Sequence, residues 1–128
     1  AVGVIAGVLA ALVGFLVHEW GHLAASLASG SRVHYPGTVL APLLFHFDAA
    51  HNDRRQFLWM SYGGYAATLA MVTLYALAMP RDAWSGRVGL LLTAAGTLAT
   101  FVLEMPITIR VLRGLPMPEG FAYRPPPR

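Results

Sequence analysis

Three stretches of this 128-residue chain are long and apolar enough to cross a bilayer, and that leaves few folds open to it. The first runs from about Ala1 to Ser29 and carries no charge before His18. The second, from about Phe57 to Met79, has no charged residue. The third, from about Val88 to Ile109, has Glu104 as its only charge. Charged residues make up 12% of the chain, against roughly 25% in soluble domains, and mean hydropathy is +0.56. A bilayer is therefore the expected solvent. The expected fold class is an α-helical integral membrane protein with three transmembrane helices. They form one unit over 1–113, followed by a Pro/Gly-rich tail over 114–128 that is expected to be extended.

The breaks between these stretches follow local chemistry. Gly30 is a natural stop for the first helix. Pro80 closes the second, and Asp82 to Gly86 reads as a short polar turn. Pro106 lacks a backbone N–H and is expected to kink or unwind the third helix near its end. Between the first two spans, Val33, Tyr35, Val39, Leu40, Leu43, Leu44, Phe45 and Phe47 make an apolar run broken by Pro36, Gly37 and Pro42. It is too short to cross. Arg32 to Phe47 is expected to form a short membrane-associated β-hairpin or re-entrant loop, turning at Pro36-Gly37. Such backbone survives at membrane depth only when buried in protein or lining a wet cavity. Asp48 to Gln56 then reads as a polar surface loop. The first stretch lacks a basic leading region and a clean cleavage site, so it does not read as a removable signal peptide.

Arginine placement gives an orientation. Three spans put 30–56 and the tail on one side, with Arg32, Arg54, Arg55, Arg110, Arg113, Arg124 and Arg128. The other side carries Arg81 and Arg87. The asymmetry predicts a cytoplasmic hairpin and tail and an outer N-terminus, and the Arg-only, Ala-rich composition suggests a GC-rich prokaryotic genome and so an inner (plasma) membrane. The net charge of +3 does not point to nucleic acid, because the arginines are scattered and no basic stripe interleaves with aromatics. There is no cysteine, so any metal ligand must be His, Asp or Glu.

The chemistry-bearing motif is His18-Glu19-Trp20-Gly21-His22, an H-E-x-x-H. Positions i and i+4 of a helix share a face, so both imidazoles can reach one ion. Zinc accepts His nitrogen and keeps an open position when three protein ligands hold it. Glu19 would stand beside that position as general base, taking a proton from water whose pKa the ion has lowered. A Glu and two His in an otherwise uncharged spanning segment are costly, and such residues are functional by default. The alternative is that the three satisfy one another, or backbone, inside a bundle. Haem ligation is disfavoured, because axial pairs normally come from two helices.

On these residues the chain resembles the site-2 proteases, the intramembrane zinc metalloproteases. Their core is three membrane helices, with H-E-x-x-H on the first and a membrane-associated hairpin after it. Ser61-Tyr62-Gly63-Gly64-Tyr65-Ala66-Ala67-Thr68 resembles the family's A-G-P-x-x-N, with Gly64 matching, Tyr65 for the Pro and Thr68 for the Asn. The family's third ligand is an Asp in a Leu-Asp-Gly motif shortly after a Pro. Here that stretch reads Leu103-Glu104-Met105-Pro106-Ile107-Thr108-Ile109-Arg110-Val111, with Val111 where the Asp would stand. Glu104 is the only acid on the third helix and is the expected third zinc ligand, with His18 and His22. Its alternatives are a hydrogen-bonded core acid or a partner for Arg110.

A second group, His34, His46, Asp48, His51 and Asp53, reads mainly as solvated side chains and local caps, with Asp48 the substitute ligand should Glu104 not serve. Asn52-Asp53 before Arg54 and Arg55 reads as a helix start. Trp59, Tyr62, Tyr65 and Trp84 suit interface anchoring or packing, and Gly3, Gly7 and Gly14 suit close helix contact. The resemblance implies a zinc endopeptidase acting on membrane-spanning or membrane-tethered polypeptides, with other membrane subunits as further partners. The competing expectation is a degenerate relative serving as a structural or regulatory subunit of a larger membrane complex. Loss of Leu-Asp-Gly favours that alternative; retention of Glu19 speaks against it.

Overall fold

A computed structural model of the chain describes residues 1–37 and 44–118. Val39, Leu40, Pro42 and Leu43 of the expected hairpin lie outside these, as does the tail from 119 on. The described chain is mostly helical: α1 Val2–Ala28, β1 Val33–His34, β2 His46–Phe47, α2 Arg54–Ala78, α3 Trp84–Leu103 and α4 Met105–Leu112. Helix α1 packs on both α2 and α3, while α2 and α3 touch each other less. Among the described residues, two segments are long and apolar enough to cross a membrane, Val2–Ala28 and Trp84–Leu112. Helix α2 is also long, but Ser61, Tyr62, Gly63, Gly64 and Tyr65 dilute its apolar run and Arg54 and Arg55 open it.

Gly30 sits at φ 70 and ends α1. Gly30 N–H donates to Leu27 O and Ser31 N–H to Ser26 O, the paired bonds of a Schellman stop. Asp53 caps α2: its side chain accepts from Gln56 N–H while the Gln56 side chain accepts from Asp53 N–H. Helix α3 starts at Trp84, earlier than the expected Asp82–Gly86 turn allows. Gly86 is the reason: it lies so close to the Pro80 carbonyl that a Cβ there would overlap it, and without one the helix begins inside the turn. The third apolar stretch is broken at Glu104, which joins α3 to α4. Pro106 cannot donate to the carbonyl four residues back, so the helical ladder is interrupted there.

Strands β1 and β2 pair antiparallel, Val33 opposite Phe47 and His34 opposite His46. Asn52 extends this short ladder rather than capping α2. Its amide accepts from Arg32 N–H (2.7 Å) and donates to Arg32 O (2.7 Å), the pairing another strand would supply. The expected surface loop is thus partly interior: Asp48 and Asn52 are both buried. One Asp48 oxygen accepts from His34 Nε2 (2.9 Å) and His51 Nδ1 (2.8 Å). The His34 bond, then the His51 bond, holds the Asp48 carboxyl down at about 2. A carboxyl depressed from its ordinary 3.8 stabilises the fold fully above that value and loses the contribution as pH falls through about 2. Asp48→Ala should therefore melt below wild type at pH 5, with the gap closing between pH 4 and 2. Fluorescence-monitored unfolding in detergent checks this, and a gap that persists at pH 2 would count against the two histidine bonds.

The buried core is small and lies at one end of the bundle. Leu23, Phe45, Phe47, Phe57, Met60 and Val111 form it, with Phe47 and Phe57 edge to face at 5.8 Å. Each such side chain contributes about 1.5–3 kcal/mol when removed from water. The core clamps the hairpin against α1, α2 and α4. Arg54 also donates to the Leu112 carbonyl, tying the start of α2 to the end of α4.

Candidate metal centre

The core end of the bundle is where the motif converges with the third stretch. His18 and His22 lie one turn apart on α1, and Glu104 reaches them from the α3–α4 break. His18 Nε2 is 3.0 Å from His22 Nε2 and 3.3 Å from Glu104 Oε1, and His22 Nε2 is 3.4 Å from Glu104 Oε2. Zinc bonds of about 2.0–2.2 Å in a tetrahedron put neighbouring ligand atoms roughly 3.3 Å apart. Those three separations are close to the edges of one face. Among the described residues, this is the one group of three or more His, Asp or Glu with ligand atoms near enough for a shared ion.

The other ring nitrogens settle the tautomers. His22 Nδ1 is 2.9 Å from Met60 O, and His18 Nδ1 is 3.2 Å from Gly64 O and 2.7 Å from Thr68 Oγ1. A carbonyl only accepts, so each Nδ1 carries a proton, and a neutral ring then turns its Nε2 lone pair inward. Two lone pairs 3.0 Å apart repel unless a cation lies between them or one ring is protonated. The donor set thus fits a metal ion.

Helix α2 supplies this orientation through one face. Met60, Gly64 and Thr68 are successive turns of it. Its backbone can come near because Gly21 and Gly63 face each other; a Cβ on either would strike the other's carbonyl. At Gly64 a Cβ would overlap the His22 ring itself. Gly64→Ala should therefore turn that ring and lower zinc affinity by about 10–100-fold, the size typical of lost outer-shell support. Titration against a chromophoric chelator measures it, with helix content followed by circular dichroism. Unchanged affinity would mean the ring has room the geometry denies it.

Glu19 is buried and lines a cavity of about 220 Å³ together with His22 and Glu104. Phe45, Phe47, Phe57, Met60 and Ile107 make its apolar wall, and Ser61, Tyr65 and Thr108 its polar one. The space is large enough for an amino-acid side chain or several waters. The hairpin thus forms part of the wall beside the motif.

The expected site residues His18, Glu19, His22 and Glu104 converge here. Among the described residues, Glu104's carboxylate has His18 and His22 as its ion-pair contacts, rather than Arg110. Asp48, the substitute ligand, does not join them; it is held by His34 and His51. Tyr65, expected as an anchor or packing residue, instead lines the cavity, its hydroxyl 2.6 Å from Thr108 Oγ1. Its role and that of Thr68 were hard to foresee from composition. The available signal was Gly63-Gly64 inside a long helix, a mark of close backbone approach. No protein-family model, curated protein or solved structure matches the chain.

Proposed function

We propose that the chain is an intramembrane zinc metalloendopeptidase of the site-2 protease kind, acting on membrane-spanning or membrane-tethered polypeptides. One observation carries the proposal: two Nε2 atoms and a carboxylate from a distant helix break converge on one point, with Glu19 in the adjoining cavity. His18, His22 and Glu104 would hold the ion, which when bound supplies a Lewis acid and a more acidic water.

The chain's own residues do the rest. Glu19 takes a proton from the attacking water and returns it to the departing amine. The Met60 and Gly64 carbonyls keep the two rings from turning. The wall of Phe45, Phe47 and Phe57 excludes lipid and bulk water and receives an apolar side chain of the substrate. The bilayer reading is supported by large apolar residues left outward on the helices, such as Leu77 (82% exposed), Leu91 (70%) and Leu103 (67%). On this reading α2 is the third crossing, and the arginine asymmetry puts the N-terminus outside and the tail in the cytoplasm.

The test is cleavage of a transmembrane peptide by detergent-purified protein, with zinc removed by chelation and then restored. Activity that follows the zinc supports the proposal. A second reading, an inert subunit of a larger membrane complex, is favoured by the fact that His18, His22 and Glu104 can also satisfy one another as a protonated cluster. A chain that takes up no supplied zinc and cleaves nothing would decide for it.

A further inference from the structure

Resting on the peptidase reading, we infer that Tyr65 is a catalytic residue whose phenol donates a hydrogen bond to the scissile carbonyl oxygen as charge develops there. The argument is an inventory of donors. Three hydroxyls line the cavity that holds Glu19, His22 and Glu104: those of Ser61, Tyr65 and Thr108. Ser61 Oγ donates to Phe57 O at 3.0 Å. Thr108 Oγ1 donates to Glu104 O at 3.3 Å. Both protons are therefore directed to helix carbonyls. Tyr65 Oη, 2.6 Å from Thr108 Oγ1, then gives its proton to that oxygen. It is the remaining hydroxyl donor of this wall, and its acceptor is a neutral hydroxyl. A charged acceptor binds a donor roughly twice as strongly as a neutral one, so an oxyanion in the cavity would win the phenol from Thr108. Backbone N–H groups of α2 along the wall are used within that helix or by its cap, and Thr108 N–H donates to Glu104 O.

The step balances without further reagents. The water oxygen forms a bond to the carbonyl carbon, and the C=O π pair moves onto the carbonyl oxygen. The water's proton goes to Glu19. Tyr65 donates to the new oxyanion and keeps its proton. When the pair returns, the C–N bond breaks and Glu19 protonates the amine.

A purely structural role is the competitor, because the same hydroxyl joins α2 to α4, one turn past Glu104. Two variants separate the roles. Tyr65→Phe removes the phenol and the bond; Thr108→Val removes the bond and keeps the phenol. Zinc content, kcat, KM and affinity for a phosphonate peptide, a tetrahedral anion, are measured for each. Tyr65→Phe should keep zinc and KM and lose about 10²–10³ in kcat, the loss typical of one oxyanion donor, with a parallel loss of phosphonate affinity. Thr108→Val should bind the phosphonate nearly as wild type does. Equal losses in both variants, or loss of zinc in Tyr65→Phe, would make the hydroxyl a strut. A wild type that cleaves and a Tyr65→Phe variant that equals it overturn this inference alone. A wild type that neither binds zinc nor cleaves overturns the peptidase reading and this one with it.

Discussion

Replacing Glu104 with alanine is expected to leave the purified chain with little or no zinc. The substitution removes one of three candidate ligands and leaves two imidazoles on one helix, 3.0 Å apart, with no carboxylate reaching them from the α3–α4 break. The loss should exceed the roughly 10–100-fold that an outer-shell change produces. Asp48→Ala is the matched control. Its carboxyl belongs to His34 and His51, so that variant should keep its metal. Elemental analysis of both after dialysis against buffered zinc reads the result. Zinc retained by Glu104→Ala and lost by Asp48→Ala would move the third ligand to the hairpin.

Glu19→Gln should have the complementary phenotype, with zinc present and cleavage lowered by about 10²–10⁴, the usual contribution of a positioned acid–base group. Gln preserves volume and polarity in a buried position but cannot take a proton from water. His18, His22 and Glu104 are untouched by the change. Cleavage at the wild-type rate by a zinc-loaded Glu19→Gln protein would remove Glu19 from the mechanism.

The helices and their stops were legible in the sequence where backbone chemistry dictates them. Gly30 at positive φ, Asp53 at the start of α2 and Pro106 at the break all act through local geometry, whatever surrounds them. The spacing of His18 and His22 was legible for the same reason. Glu104 stood out because it is a lone acid in an apolar stretch. What stayed hidden depends on which surfaces meet. Asn52 looked like a cap, and its pairing with Arg32 requires knowing that β1 lies beside it. Tyr65 looked like an anchor, and its place in the cavity follows from the rotation of α2 about Gly63 and Gly64. The Met60 and Gly64 carbonyls that orient the rings have no sequence signature, since every residue carries one. The span count differs for a related reason. Residues of α2 that serve the site, Ser61 to Tyr65 and Thr68, are the ones that lower its hydropathy.

The three candidate ligands are far apart along the chain. His18 and Glu104 are 86 positions apart, and an ion joining them closes a loop over most of the molecule. An ion bound only by the folded chain would stabilise it by mass action, and here it would fasten a helix break that, among the described residues, a small buried core supports. If the site holds a metal as proposed, metal supply would govern the lifetime of the protein as well as its chemistry. Chains starved of the ion would open first at the Glu104 junction, offering proteases the segment that metal-replete chains keep folded.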